Sequence, residues 1–292
     1  MKRQLTLPLI RMIVKPLCLV TLSFFAVVNT AVAIFPEASS QLTLFDQDSL
    51  SYQATCPNLY VQPTPNTALT APFQLLNWNI YKQQRQNWRT SLREWAISAD
   101  IITLQEAKLS TNLRNFSAQN NLYFLHNYAF KYRGMIYGVN TLSKVKPQSF
   151  CGSLENEPWI IIPKAGLAST YILNNYDLPL LVINLHGVNF TFTAQPLKEQ
   201  LSPYLALIKQ HKGPIIFSGD FNTWSDARLE RVEQALITLG FSEAQFNEDE
   251  RLTAFGLPLD HIYFRGLKVI EAKSIATDSS DHSPQLVTFD LL

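Results

Sequence analysis

The stretch Pro214-Ile-Ile-Phe-Ser-Gly-Asp-Phe-Asn222 constrains this chain more than any other. Its apolar start runs into Gly219, Asp220 and Asn222. That is the pattern of a buried strand whose C-terminal end delivers an acid and an amide to a cleft. Gly219 permits a turn or a close backbone approach that a side chain would block. Asp220 and Asn222 lie two apart, so an extended backbone directs both to one side. A carboxylate there can hold a water or a cation, and an amide can hydrogen-bond a phosphoryl oxygen. Gly, Asp and Asn are also turn formers, so the stretch alone is readable as a plain strand exit.

Other apolar segments end the same way. Phe73–Asn79 and Asp100–Glu106 read as strands, separated by a helical stripe over Asn87–Ser98 whose Trp88 and Trp95 belong to the core. Strand, helix, strand indicates a crossover unit. Met135–Leu142, Leu167–Leu173 and Leu180–Leu185 are further strands, the last ending at His186. Helices are expected over Gln195–His211 and Asp226–Leu239, with Gly240 as a stop. The final strands fall near Asp260–Phe264, Leu267–Ala272 and Gln285–Phe289, with Asp281 and His282 just before the last. Asn79, Glu106, His186, Asp220, Asn222, Asp260, Asp281 and His282 thus stand at strand mouths. Carboxylates gathered in one buried place need a cation or a histidine to offset their charge. Asn and Glu suit a hard divalent cation, and no thiolate spacing points to structural zinc.

Composition narrows the partners. The 292 residues are 47% hydrophobic and 16% charged, a globular balance with room for one large core or two smaller ones. Net charge is +1, but Lys2, Arg3, Arg11 and Lys15 all precede the first acid, Glu37. The remainder holds 20 basic against 23 acidic residues, a net of −3, which disfavours tight sequence-independent DNA binding. Between Glu106 and Glu155 there is no acid, while Lys108, Arg114, Lys131, Arg133, Lys144 and Lys146 fall there. That interval is either a solvated face or a wall attracting phosphate.

The N-terminal region has a separate role. A cationic start leads into the uncharged run Leu17–Phe35, and Ala31-Val32-Ala33 forms a small-x-small cleavage site. Residues 1–33 are read as a signal peptide, or as a membrane anchor if retained, and residues 34–72 as a Pro-rich lead-in. Either way the body is expected outside the cytoplasm, periplasmic or secreted. Cys18 leaves with the signal. Cys56 and Cys151 can then pair or remain two buried thiols.

The order Asn77-Trp78-Asn79, Leu104-Gln105-Glu106, Gly219-Asp220-Phe221-Asn222 and Ser280-Asp281-His282 resembles the endonuclease/exonuclease/phosphatase, or DNase I-like, superfamily. Trp78-Asn-Ile-Tyr-Lys-Gln-Gln-Arg85, Asn189-Phe190 and Ala254-Phe-Gly-Leu-Pro-Leu-Asp260 are similar to its bacterial YafD-like branch. The likeness spans about residues 73–290, so 73–292 is expected to be the catalytic domain. It implies an α+β fold, a four-layer α/β/β/α sandwich with two packed mixed sheets. It also implies a Mg²⁺- or Mn²⁺-dependent phosphoric ester hydrolase. By resemblance, Asn79 and Glu106 are metal-site residues, with Asp281 a further candidate. Asp220 positions or deprotonates the attacking water, and Asn222 orients the phosphate. His186 binds phosphate or acts as an acid, and His282 is the second catalytic histidine, oriented by Asp260. One departure stands out: DNase I-like nucleases pair the first histidine with a carboxylate from the interval that here has no acid. The expected substrate is a nucleic acid, a phospholipid head group or a small phosphoester, acted on by a monomer. The alternative is a catalytically silent binding or membrane-anchored interaction protein on the same fold.

Overall fold

The computed structural model describes residues 37–38, 44–46, 48, 50–63, 65–158, 162–191 and 193–292. The expected signal or anchor segment lies outside them. Among the described residues no helix is long and apolar enough to cross a membrane.

Among the described residues, eleven longer strands and four α-helices follow in order. They are β1 (Phe73–Asn79), α1 (Trp88–Ala96), β2 (Ile101–Lys108), α2 (Thr111–Gln119), β3 (Tyr123–Tyr132), β4 (Met135–Ser143) and β5 (Ser149–Asn156), then β6 (Pro163–Leu173), β7 (Tyr176–His186), α3 (Gln195–Gln210), β8 (Ile215–Asp220), α4 (Asp226–Ile237), β9 (Asp260–Arg265), β10 (Leu267–Ser274) and β11 (Gln285–Leu291). One sheet runs β10-β11-β1-β2-β4-β3 and ends in the short pieces Leu44–Phe45 and Ser51–Tyr52. The other runs from Ser242–Glu243 through β9-β8-β7-β6-β5 to Tyr60–Val61. Each contains a parallel pair, β1 with β2 and β7 with β8. A helix, α1 or α3, makes each crossover, as parallel pairing requires.

Side-chain parity along β1 and β8 explains the layers. Leu76 and Trp78 of β1 pack with Leu92 of α1 and Phe116 of α2, whereas Phe73 and Leu75 pack with Ile216, Val182 and Phe289. In β8, Ile215 and Phe217 join Leu201 and Tyr204 of α3 and Val232 of α4, while Ile216 faces the opposing sheet. Strands buried on both faces read as near-continuous apolar runs, which is why Pro214–Phe217 shows no alternation. The result is the expected four-layer sandwich of DNase I-like type.

Towards the C-terminal ends of the parallel strands the inter-sheet layer turns polar. Asn77, Thr103, Gln105, Asn184, Ser218 and Gln285 are buried there. Gln105 donates to Asn77 Oδ1 at 2.9 Å and to Asn184 Oδ1 at 2.7 Å, and Thr103 and Ser218 share a hydrogen bond of 3.0 Å across the sheets. Such groups cost stability unless they are hydrogen-bonded, and this mutual pairing supplies most of the bonds, with Gln105 Oε1 left unpartnered among the described residues. The layer forms a rigid floor for the residues above it.

The two body cysteines, left open by sequence, are bridged: Cys56 and Cys151 form a disulfide across 95 positions. It ties the lead-in to β5.

Candidate active site

The parity that sends Ser218 inward also sends Asp220 inward, and Asn79 of β1 faces it from the other sheet. Asn79 Nδ2 donates to Asp220 Oδ2 at 2.9 Å. His186, ending β7, is in register with Asp220, with Nε2 at 3.7 Å from the same oxygen. His282 Nε2 lies 3.9 Å from it. Asp260, the Cα partner of Asp220 in β9, accepts from His282 Nδ1 at 2.7 Å. Gly219 makes the register possible: a Cβ there would lie 2.0 Å from the Leu185 carbonyl oxygen. Asp260 faces the cluster, and His261 turns away to hydrogen-bond Glu243 at 2.6 Å and Thr223 at 2.7 Å.

Two residues reach the site through irregular backbone. Thr103 and Gln105 face the opposing sheet, so strict alternation would turn Glu106 towards the helices. Instead Glu106 adopts φ 52°, and β2 slips against β4 between Leu104 and Ala107. This bulge re-aims the carboxylate, leaving Oε1 3.9 Å from His186 Nε2. Asn222 also has φ 52°, so the extended geometry expected for Asp220 and Asn222 does not occur. The chain turns: Asp220 Oδ1 accepts the Asn222 N–H at 3.0 Å, and the Asn222 amide donates to Gly187 O at 2.9 Å. Asp281 does not join the cluster. It is exposed, and its carboxylate accepts from Ser280 Oγ at 3.3 Å.

Two cations that sequence reading passed over stand among these groups. Lys82, from the segment after β1, pairs with Glu106 Oε2. Tyr81, Lys82 and Gln83 all have positive φ, a left-handed turn that L-residues adopt only at a cost. Lys164 of β6 lies 2.7 Å from His186 Nε2 and 3.9 Å from Glu157. Lys164 is thus the partner His186 finds where an acid was missing. An ammonium can only donate, so His186 Nε2 accepts and the ring is neutral. Of the six cations between Glu106 and Glu155, none lines the cavity beside the cluster, and Lys144 pairs with Asp100 at 3.2 Å. Arg228 of α4 was also missed. Buried at the rear, it donates to Asn222 O and Thr191 Oγ1, each at 2.6 Å, and to Val188 O.

Electrostatics separate the roles. Burial and the neighbouring Asp260 charge push the Asp220 carboxyl up to about 6, against His282, Lys164 and the Asn79 hydrogen bond. Burial alone would lower His282, but the Asp260 charge and hydrogen bond, with Asp220, raise it to about 10. Burial, then Lys164 and Lys82, hold His186 well below the usual range. Burial would raise Glu106, yet Lys164 and Lys82 outweigh it and keep it low.

The carboxylates here leave room for a positive partner. Asp220, Asp260 and His282 bring ligand atoms within 4.8 Å of one another, and Asp260 Oδ1 is buried with no hydrogen-bond partner among the described residues. His282, protonated and turned to Asp260, has no lone pair to give. Glu106 is the better hard-cation ligand, since its carboxylate already draws an ammonium.

A family model described as Endonuclease/Exonuclease/phosphatase family matches residues 76–282, and the chain belongs to that family. Within it, the chain is 45% identical over 219 residues to a UPF0294 protein of Vibrio vulnificus, covering 74% of this chain and 76% of the relative. A UPF0294 protein of Photorhabdus laumondii is 38% identical over 226 residues, covering 77% and 86%. These relatives place the chain in the YafD-like branch. The structure of ANGEL2, a 2′,3′-cyclic phosphatase, in complex with adenosine-2′,3′-vanadate superposes with TM-score 0.60 at 16% identity, covering 75% of this chain and 95% of that one. The human Nocturnin catalytic domain with bound sulfate anion gives 0.57 at 16% identity, covering 77% and 97%. Both share the fold.

Proposed function

We propose that the chain hydrolyses a phosphate ester at the cluster around Asp220, with Mg²⁺ or Mn²⁺ held by Glu106 and Asn79. The observation that carries this reading is the convergence of Asn79, His186, Asp260 and His282 on one buried carboxylate. A carboxylate titrating near 6 is poised to take a proton from an attacking water at neutral pH. His282, held charged by Asp260, keeps its Nε2–H for a phosphoryl oxygen. Lys82 and Lys164 add two further donors for phosphate charge. Bound at Glu106, the divalent ion would supply Lewis-acid polarisation of the phosphoryl group. Asn79 fixes Asp220, and Arg228 fixes the turn through Asn222.

We propose further that the site of action lies outside the cytoplasm. The Cys56–Cys151 bridge supports this, because such bonds persist in oxidising compartments. Fusion of the full chain to a compartment-sensitive reporter tests the location, and a cytoplasmic signal would overturn it.

The activity test is a screen of purified protein with Mg²⁺ or Mn²⁺, with and without chelator. Substrates are DNA, RNA, sphingomyelin and small phosphodiesters, with His282→Ala as control. Chelator-sensitive hydrolysis lost in the control is expected. No hydrolysis of any ester by the wild type would overturn the reading in favour of a silent binding protein.

A further inference from the structure

A cavity of about 160 Å³ adjoins the cluster, and the phosphate chemistry leaves most of its wall unused. Lys82, Glu106, Lys164 and the neutral His186 form its polar side. The rest is apolar, built chiefly from Phe130, Tyr137, Ile162 and Phe190. Phe130 of β3 and Tyr137 of β4 are paired across the strands and stack at 5.2 Å with an interplanar angle of 15°. Among the described apolar lining residues only Tyr137 carries a polar side-chain atom.

Phe190 shows that this wall is arranged and not incidental. It is 56% exposed, a costly state for a phenyl ring. Its backbone is nonetheless held firmly. The fully buried Glu157 accepts the N–H of Asn189 at 2.6 Å and of Phe190 at 2.8 Å, and Arg228 anchors the next residue, Thr191. Ordering a loop with a buried carboxylate and a buried guanidinium, only to present a bare ring at a cavity mouth, makes sense when a ligand covers that ring.

We infer that this cavity takes an apolar group, ring-sized or a short alkyl segment, that the substrate carries beside its scissile phosphate. This rests on the phosphoesterase reading and narrows it to esters of apolar alcohols, lipid-like or aryl. Size agrees: a cavity of roughly 150 Å³ lined by apolar side chains accommodates a benzene ring. Chemistry agrees as well. With Lys82, Glu106, Lys164 and His186 on the side taken up by the phosphate chemistry, a nucleobase against the apolar side would meet one side-chain hydroxyl among the described residues, and unpaired buried polar groups oppose binding.

The test compares methylphosphonate, phenylphosphonate and adenosine 5′-monophosphate as ligands of the full chain with Mn²⁺, by calorimetry and by inhibition. Phenylphosphonate is expected to bind at least about tenfold tighter than methylphosphonate, from the added buried carbon. Phe190→Ser and Ile162→Trp, one removing the mouth ring and one filling the space, should each shrink that ratio below about threefold. A long-chain alkyl phosphate and an aryl phosphate as substrates then separate lipid-like from aryl sources. Equal affinity for the two phosphonates overturns the inference and leaves the phosphoesterase reading intact if any ester is cleaved. Tighter binding of the nucleotide than of phenylphosphonate also overturns it. Neither binding nor hydrolysis of any ester removes both.

Discussion

Asp260 and His282 reach one another from opposite sheets, and each needs the other. Their 2.7 Å contact fixes the ring and keeps it charged, leaving Nε2 for a phosphate. Asp260→Asn and His282→Ala should therefore each lower kcat by about 10²–10⁴. The double variant should be little worse than the poorer single one, since both changes disable one unit. Four kcat values on one substrate at saturating metal decide it; multiplicative losses would mean independent roles. Lys82 and Glu106 make an opposite-signed pair of predictions. Glu106→Gln removes the strongest attraction for a hard cation and should weaken Mn²⁺ binding. Lys82→Met removes an ammonium already seated on that carboxylate and should tighten Mn²⁺ binding, by up to about fivefold if the competition is worth one pair. Calorimetric titration reads both, and weaker binding in Lys82→Met would show that Lys82 assists the cation. At this scale the sequence was partly legible. Strand-end residues such as Asp220 and His282 announce themselves by type and position. Lys164 and Arg228 do not, because a cation on a strand or helix looks like any surface cation until its partners across the fold are known.

Elements carry the next constraint. The bridge from Cys56 to Cys151 closes a long loop and pins residues that otherwise touch the body through short strands such as Tyr60–Val61. Loop-closure entropy for a loop of this length is about 4.7 kcal/mol at most, and removal should cost about 2–5 kcal/mol. Urea unfolding of oxidised protein against the Cys56→Ser/Cys151→Ser variant measures this, and superimposable curves would show the bridge to be stabilising nothing. Gly219→Ala places a Cβ against the Leu185 carbonyl of the neighbouring strand, one pair before the His186–Asp220 end of the β7–β8 ladder. Since backbone is the obstacle, relief requires that register to open, and a loss above about 3 kcal/mol is expected. Apolar runs located β1, β7, β8 and the three longer-patterned helices to within a few residues. The missed elements are those whose buried faces are polar or sparse. In β3, His126 and Asn127 interrupt the apolar pattern though both are buried, and α2 offers only Leu113 and Phe116 to the core. Period-based reading also cannot see a bulge, and Glu106 owes its place in the site to one.

For the whole molecule, the site is also a clamp between sheets, so its ionisation should be visible in global stability. Asn79–Asp220, Asp260–His282 and the Gln285 donation to Asp260 O at 3.0 Å all cross from one sheet to the other. His282 titrates near 6.5 when unfolded and at about 10 in the fold. Between those values the folded chain keeps a proton that the unfolded chain has released. The resulting stabilisation is fully present below pH 6.5 and is lost as pH rises towards about 10, at up to about 1.4 kcal/mol per pH unit. Lys164 opposes this limb, because burial lowers it in the fold and the unfolded chain holds its proton longer. On the acid side, burial holds His126 down to about 3, so stability falls as pH drops below 6.5 and the unfolded chain takes up that proton. The informative quantity is the difference between wild type and His282→Asn in chelator-treated protein, which cancels the other groups. Urea midpoints measured from below pH 6.5 to about 10 should converge for the two proteins as pH rises, with the wild type ahead at the low end. Parallel curves would mean that His282 carries no folded-state charge, and that Asp260 orients a neutral ring.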